Sequence, residues 1–247
     1  MIVDTAVCLR HPHLPQGREA GEILRAMDRA GVERAGLMPF EAVQRFNWRE
    51  ANERVAAACR AHPDRLFGWG SLNHYDGPEE TDRIAGLGLR GVRIFTSWGF
   101  TPGTGLIERF YVPIAQKCRE RGMLFSIEHE GHLPTLGGAV YSDCIVADAL
   151  PDRPLVMSRC WTWAFWPDYL AALRECPNLV IEVGVAPSSW LRRAVEEAGA
   201  DRMVLGSWWP EQEPAAVAAH VRGLGLAKQD EEKILGGTAA RLLGSWR

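Results

Sequence analysis

Short apolar runs that read as strands alternate eight times with segments that read as helices, and nothing constrains the fold of this chain more. The strand-like runs are Ile2–Val7, Ala35–Met38, Leu66–Leu72, Gly91–Phe95, Leu124–Ile127, Leu155–Met157, Leu179–Val183 and Met203–Leu205. Between and after them lie helix-like segments at Glu19–Ala30, Ala51–Ala61, Glu79–Gly86, Ile107–Arg121, Ser142–Leu150, Tyr169–Glu175, Ser188–Ala198 and Ala215–Gly223. Several carry the apolar spacing of a helix face, as in Ile107, Phe110, Ile114 and Cys118. A helix between consecutive strands makes them parallel, and eight such units close into a (β/α)8 barrel of the α/β class. The expected unit is a single barrel domain over residues 1–247, with C-terminal helices at about 228–245 packed on it.

The 247 residues match one barrel of about 250. A 47% hydrophobic content with 24% charged residues supplies an ordinary soluble core, and a net charge of −3 argues against a nucleic-acid partner. Six cysteines, at 8, 59, 118, 144, 160 and 176, form no C-x-x-C pair and read as free thiols in a reducing compartment. Met1-Ile2-Val3 opens directly as a strand and no apolar run approaches a membrane span, so a cytoplasmic protein is expected.

One stretch carries more information than the pattern. Asp201–Pro210, Asp-Arg-Met-Val-Leu-Gly-Ser-Trp-Trp-Pro, is a short buried strand closed by Gly206. It resembles the last barrel strand of the amidohydrolase superfamily, in the branch that includes decarboxylases and lactonases. Looser similarities follow in order along the chain: Ala61–Gly68 before the third strand, Gly88–Ile94 before the fourth, Pro177–Glu182 at the seventh and Glu231–Gly244 in the closing helices, with Thr238 where Asn is usual.

The resemblance also implies a metal site, and the residues depart from it. The family expects Asp-x-His-x-His on the first strand, where this chain has Asp4-Thr5-Ala6-Val7-Cys8. Histidines expected at the ends of the fifth and sixth strands are Glu128, followed by His129, and Arg159. The metal-binding Asp of the eighth is Trp208, whose ring nitrogen only donates. Alternation predicts that Asp4, Ala6, Cys8, Glu128, Glu130, Arg159 and Trp208 face the barrel mouth. Ala, Cys, Glu, Arg and Trp at five ligand positions are not a metal site, so no metal and no other cofactor is expected. A relocated site from His11, His13, His129 and His132 is the alternative. His11 and His13 sit among prolines in a loop, where solvated side chains are the plainer reading.

Without a metal, Arg159 is the positive charge at the mouth. Buried there it needs an anion, either Glu128 or a substrate carboxylate or phosphate. The candidate catalytic residues are Glu128, Arg159, His129 and Asp4, with Arg159 stabilising an oxyanion and Glu128 or His129 acting as acid/base. Candidate substrate-binding residues are Arg93, as a clamp on a second anionic group, with Cys8, Trp98, Trp161 and Trp208. Trp163, Trp166, Trp190 and Trp209 are assigned to packing or to an oligomer interface.

The expected function is acid/base chemistry on a small anionic organic molecule: lactone or amide hydrolysis, decarboxylation, elimination or cyclisation. The rival reading is an inactive barrel in which Glu128–Arg159 is an inert ion pair, Trp208 is a plug, and the protein binds a ligand or partners an active homologous subunit. A homo-oligomer fits either reading.

Overall fold

The computed structural model describes residues 1–96, 104–128, 139–160 and 166–244. Eight strands run in chain order around the sheet: β1 (Val3–Cys8), β2 (Arg34–Met38), β3 (Leu66–Gly70), β4 (Gly91–Ile94), β5 (Leu124–Glu128), β6 (Leu155–Ser158), β7 (Leu179–Val183) and β8 (Met203–Leu205). Every neighbouring pair is parallel. The ring closes just beyond β8, where Trp208 N donates to Ala6 O at 2.7 Å and Cys8 N donates to Trp209 O at 2.9 Å. This is a (β/α)8 barrel.

Helices α1 (Ala20–Ala30), α2 (Ala42–Arg45), α3 (Trp48–Ala61), α4 (Glu79–Gly86), α5 (Thr104–Glu120), α6 (Ala139–Ala149), α7 (Trp166–Glu175), α8 (Ser188–Ala198) and α9 (Pro214–Arg222) follow their strands. Their apolar stripes meet the outer strand faces in one continuous core. A second cluster fills the barrel's inside with Val3, Ala6, Cys8, Met38, Phe67, Trp69, Val156, Val180 and Val204. Below it, α10 (Lys228–Glu232) and α11 (Thr238–Leu243) flank a π-helical turn, and Ala239, Leu242 and Leu243 pack on the inner cluster. Gly236 makes this close fit, since a Cβ there would stand 2.8 Å from Met1 O.

The strands and helices lie where the alternation places them, with shifted ends. β1, β5 and β6 each run one residue further than their apolar runs, ending on Cys8, Glu128 and Ser158, because a barrel strand ends at the mouth, where polar side chains are usable. The short helix α2 has no counterpart in the sequence reading. Alternation on β1 is broken by a register shift between Asp4 and Val7. Val3 and then Ala6 and Cys8 join the inner cluster, so Asp4 does not share one inward row with them.

Candidate active site

Inside the barrel the chain buries a charge pair. β7 reads Leu-Val-Ile-Glu-Val, and alternation turns Val180 and Glu182 inward. Arg93, inward on β4, donates to Glu182 Oε2 at 2.6 Å, and both residues are fully buried. Three further donors converge on the carboxylate: Thr5 Oγ1 at 2.8 Å, Ser158 Oγ at 2.5 Å and the Trp208 indole nitrogen at 2.7 Å. The Arg93 guanidinium lies 4.5 Å from the Trp69 ring centroid and 5.7 Å from that of Trp208. Burial drives the Glu182 carboxyl up, but the Arg93 charge and the hydrogen bonds from Ser158, Trp208 and Arg93 outweigh it and hold the group below its ordinary value.

Above this pair sits Arg159, just past β6. It and Trp208, just past β8, take left-handed backbone conformations, with φ of 64° and 55°. Such conformations are costly for large side chains and persist where the surroundings demand them. The Arg159 guanidinium lies 4.8 Å from the Trp208 ring centroid. Its Nη1 donates to Glu128 Oε1 at 3.0 Å, and its Nη2 reaches both Glu211 oxygens at 2.9 and 2.8 Å. Glu128 is fully buried, and its other oxygen accepts from Thr96 N at 3.0 Å. Glu211 lies on the outer side, its side chain 18% exposed against 9% for Arg159.

His11 fastens this arrangement to the loop after β1. Its Nδ1 accepts from the backbone N–H groups of His13 and Leu14, both at 3.2 Å, which leaves Nε2 to donate to Glu211 Oε1 at 3.1 Å. The ring is buried against Phe40, which in turn meets Phe95 and Trp208 at centroid distances of 5.2 Å.

Asp4 joins the two edges of the barrel. It accepts from Ser207 Oγ at 2.5 Å, Ser207 N at 2.9 Å and Ala6 N at 3.2 Å. Burial pushes its carboxyl up to about 7, against the lowering by those hydrogen bonds. The Cys8 thiol is buried beside the Trp208 carbonyl, and burial raises it far from the reactive thiolate range.

The residues at the family's ligand positions do not fit a cation. Ala6 has no donor atom, Cys8 holds its proton, Trp208 presents an N–H already bonded to Glu182, and Arg159 brings a fixed positive charge that Glu128 compensates. Among the described residues no group of three or more His, Cys, Asp or Glu side chains is placed to hold a metal ion.

A family model described as Amidohydrolase matches residues 9–245. The chain belongs to the amidohydrolase family. No curated protein matches it. Solved structures do. One is the 5-carboxyvanillate decarboxylase of Sphingomonas paucimobilis, with a TM-score of 0.74, 18% identity and 98% of each chain covered. Another is an uncharacterized TIM-barrel protein of Bordetella bronchiseptica, with a TM-score of 0.77, 19% identity and 98% of each chain covered. A third is a probable 2-pyrone-4,6-dicarboxylic acid hydrolase of Acinetobacter baumannii, solved with citric acid bound, with a TM-score of 0.72, 14% identity and 99% of each chain covered. At these identities the likeness establishes the barrel.

Within this amidohydrolase barrel, the residues singled out from sequence fall into separate groups. Glu128 and Arg159 meet as a pair. Arg93 lies deeper, and the anion it clamps is the protein's own Glu182. Asp4 bonds to Ser207, and Trp208 lies fully buried under Arg159 as the floor of the mouth. His11 is not a solvated loop residue but a buried one, because Glu211 and two backbone N–H groups satisfy its ring. His13 bonds to Gln44 at 2.9 Å. His129, Glu130, His132, Trp98, Trp161 and Trp163 lie outside the described residues. Trp166 and Trp190 pack together at 5.6 Å, and Trp209 lies in the outer core.

Sequence reasoning passed over Glu182, Ser207 and Glu211. Glu182 left a signal: an acidic residue at an inward position of an otherwise apolar strand requires a buried counter-charge, and Arg93 is the matching feature on β4. Ser207 and Glu211 follow β8 in a turn whose Trp209–Pro210 bond is cis, and no periodicity places them.

Proposed function

We propose that this amidohydrolase-family protein is an enzyme that performs acid/base chemistry on a small ring carboxylate without a metal ion. The observation that carries the reading is Arg159, a permanent cation at a strand end, held in a left-handed conformation over the buried face of Trp208. Strain and buried charge at a barrel mouth concentrate where chemistry is done. In this reading Arg159 stabilises the oxyanion or carboxylate of the substrate, as a metal ion does in other mechanisms. Glu128, fixed by Arg159 and Thr96, moves the proton, or His129 beside it does. Asp4, held near neutrality, keeps the Ser207 turn in place and shares a proton with it.

The named substrates of three structural relatives, 5-carboxyvanillate, 2,6-dihydroxybenzoate and 2-pyrone-4,6-dicarboxylic acid, are ring carboxylates, and they define the compounds to screen. Hydroxybenzoates and carboxylated lactones are incubated with the protein in chelator, and products are separated by mass. Turnover in chelator that disappears in Arg159→Gln supports the reading. Turnover that appears only with added manganese or zinc overturns it.

A non-catalytic barrel is the second reading, favoured by one observation. Arg93, Thr5, Ser158 and Trp208 all donate to Glu182 and Trp208 is fully buried, so this carboxylate is satisfied from within the protein. Tight association with another barrel, and no turnover of any screened compound, supports that reading instead.

A further inference from the structure

Among the described residues, Glu211 is the more exposed of the two carboxylates on Arg159. Glu128 approaches the guanidinium from inside the barrel and is fully buried, whereas Glu211 reaches Nη2 with both oxygens and keeps 18% of its side chain exposed. Glu211 therefore lies on the more exposed side of the guanidinium. Glu211 also differs from Glu128 in what holds it. Glu128 ends β5 and is tied to Thr96 N, while Glu211 belongs to the turn after β8 and is steadied by one hydrogen bond from His11 Nε2.

We infer that the Arg159 edge now covered by Glu211 is a carboxylate-binding subsite, and that Glu211 is its exchangeable internal occupant. A ligand carboxylate takes the same two-oxygen position on Nη2, and Glu211 swings toward solvent. Arg159 passes from one carboxylate to another, so its buried charge is never left uncompensated. The exchange also sets selectivity: a neutral analogue cannot replace Glu211, because it would leave the guanidinium with one carboxylate fewer.

This inference rests on the anion-binding role proposed for Arg159, and the test separates the two. Calorimetric titration of the full chain uses 2,6-dihydroxybenzoate and 2-pyrone-4,6-dicarboxylate as probes, with 2,6-dihydroxybenzamide as the neutral control. Glu211→Gln removes the competing charge, and both carboxylates are expected to bind it at least tenfold tighter than the unmodified protein, with no gain for the amide. Glu211→Ala and His11→Ala, which loosens Glu211 without touching Arg159, move affinity in the same direction. Arg159→Gln added to Glu211→Gln cancels the gain. Thermal unfolding checks that each variant is folded. If Glu211→Gln and Glu211→Ala bind the carboxylates no tighter while Arg159→Gln abolishes binding, the exchange is wrong and the role of Arg159 survives. If no form binds either carboxylate, both fail.

Discussion

Two buried carboxylates in this barrel are set in opposite directions by their neighbours. Glu182 faces an arginine and three donors and stays ionised, whereas Asp4 meets no cation among the described residues and burial pushes it up to about 7. A carboxyl raised above its unfolded value of 3.8 favours the fold in its protonated form, so its contribution is complete at low pH and is lost as pH rises through about 7. Asp4→Asn should therefore gain stability relative to the native protein as pH is raised from 5 to 8, mostly below pH 7, by at most about 3 kcal/mol. Denaturant melts at both pH values measure it, and a constant difference would contradict the assignment. For the other pair, Arg93→Met strands the Glu182 charge and should cost roughly 3–5 kcal/mol, while Arg93→Met with Glu182→Leu should recover much of the loss. Chemical denaturation of single and double variants checks this. At this scale the sequence showed which ionisable residues are anomalous, Arg93 and Arg159 among them, and not their partners. Arg93 pairs with a residue 89 positions away, and alternation along a strand says only which way it points.

Strand and helix positions were legible because each depends on local periodicity and propensity. Element ends were not, because the apolar run stops before the strand does: Glu128 and Ser158 complete β5 and β6 with polar side chains that the barrel mouth satisfies. The register shift in β1 lay beyond any pattern, since it is imposed by the need to pair β1 with both β2 and the segment after β8. Gly206, which closes β8, is a tight element-level constraint on the interior. A Cβ there would lie 2.4 Å from Glu182 Cγ and 2.5 Å from Cδ. Gly206→Ala should destabilise the protein by roughly 1–3 kcal/mol, and thermal melting would show it. A melting temperature equal to the native value would mean that Glu182 is less firmly held than its hydrogen bonds imply.

At the scale of the molecule, the proposed metal-free chemistry rests on buried charges that answer one another, Arg93 with Glu182 and Arg159 with Glu128 and Glu211. Elemental analysis of untagged protein should return far less than one equivalent of zinc or manganese, and chelator should leave its melting temperature unchanged. A stoichiometric metal whose removal lowers that temperature would overturn this and turn attention to His11, His13, His129 and His132. Among the described residues no helix is long and apolar enough to cross a membrane.

The sequence by itself determined the architecture, the family likeness and the loss of the expected ligands at Ala6, Cys8, Arg159 and Trp208, because strand–helix alternation and residue type are local properties. Only the tertiary structure decided that Arg93 takes Glu182, that Arg159 lies between Glu128 and Glu211, and that Asp4 closes the seam through Ser207. The reason is physical. Asp4 and Ser207 stand 203 positions apart, and closing the barrel brings β1 and the turn after β8 within hydrogen-bond reach.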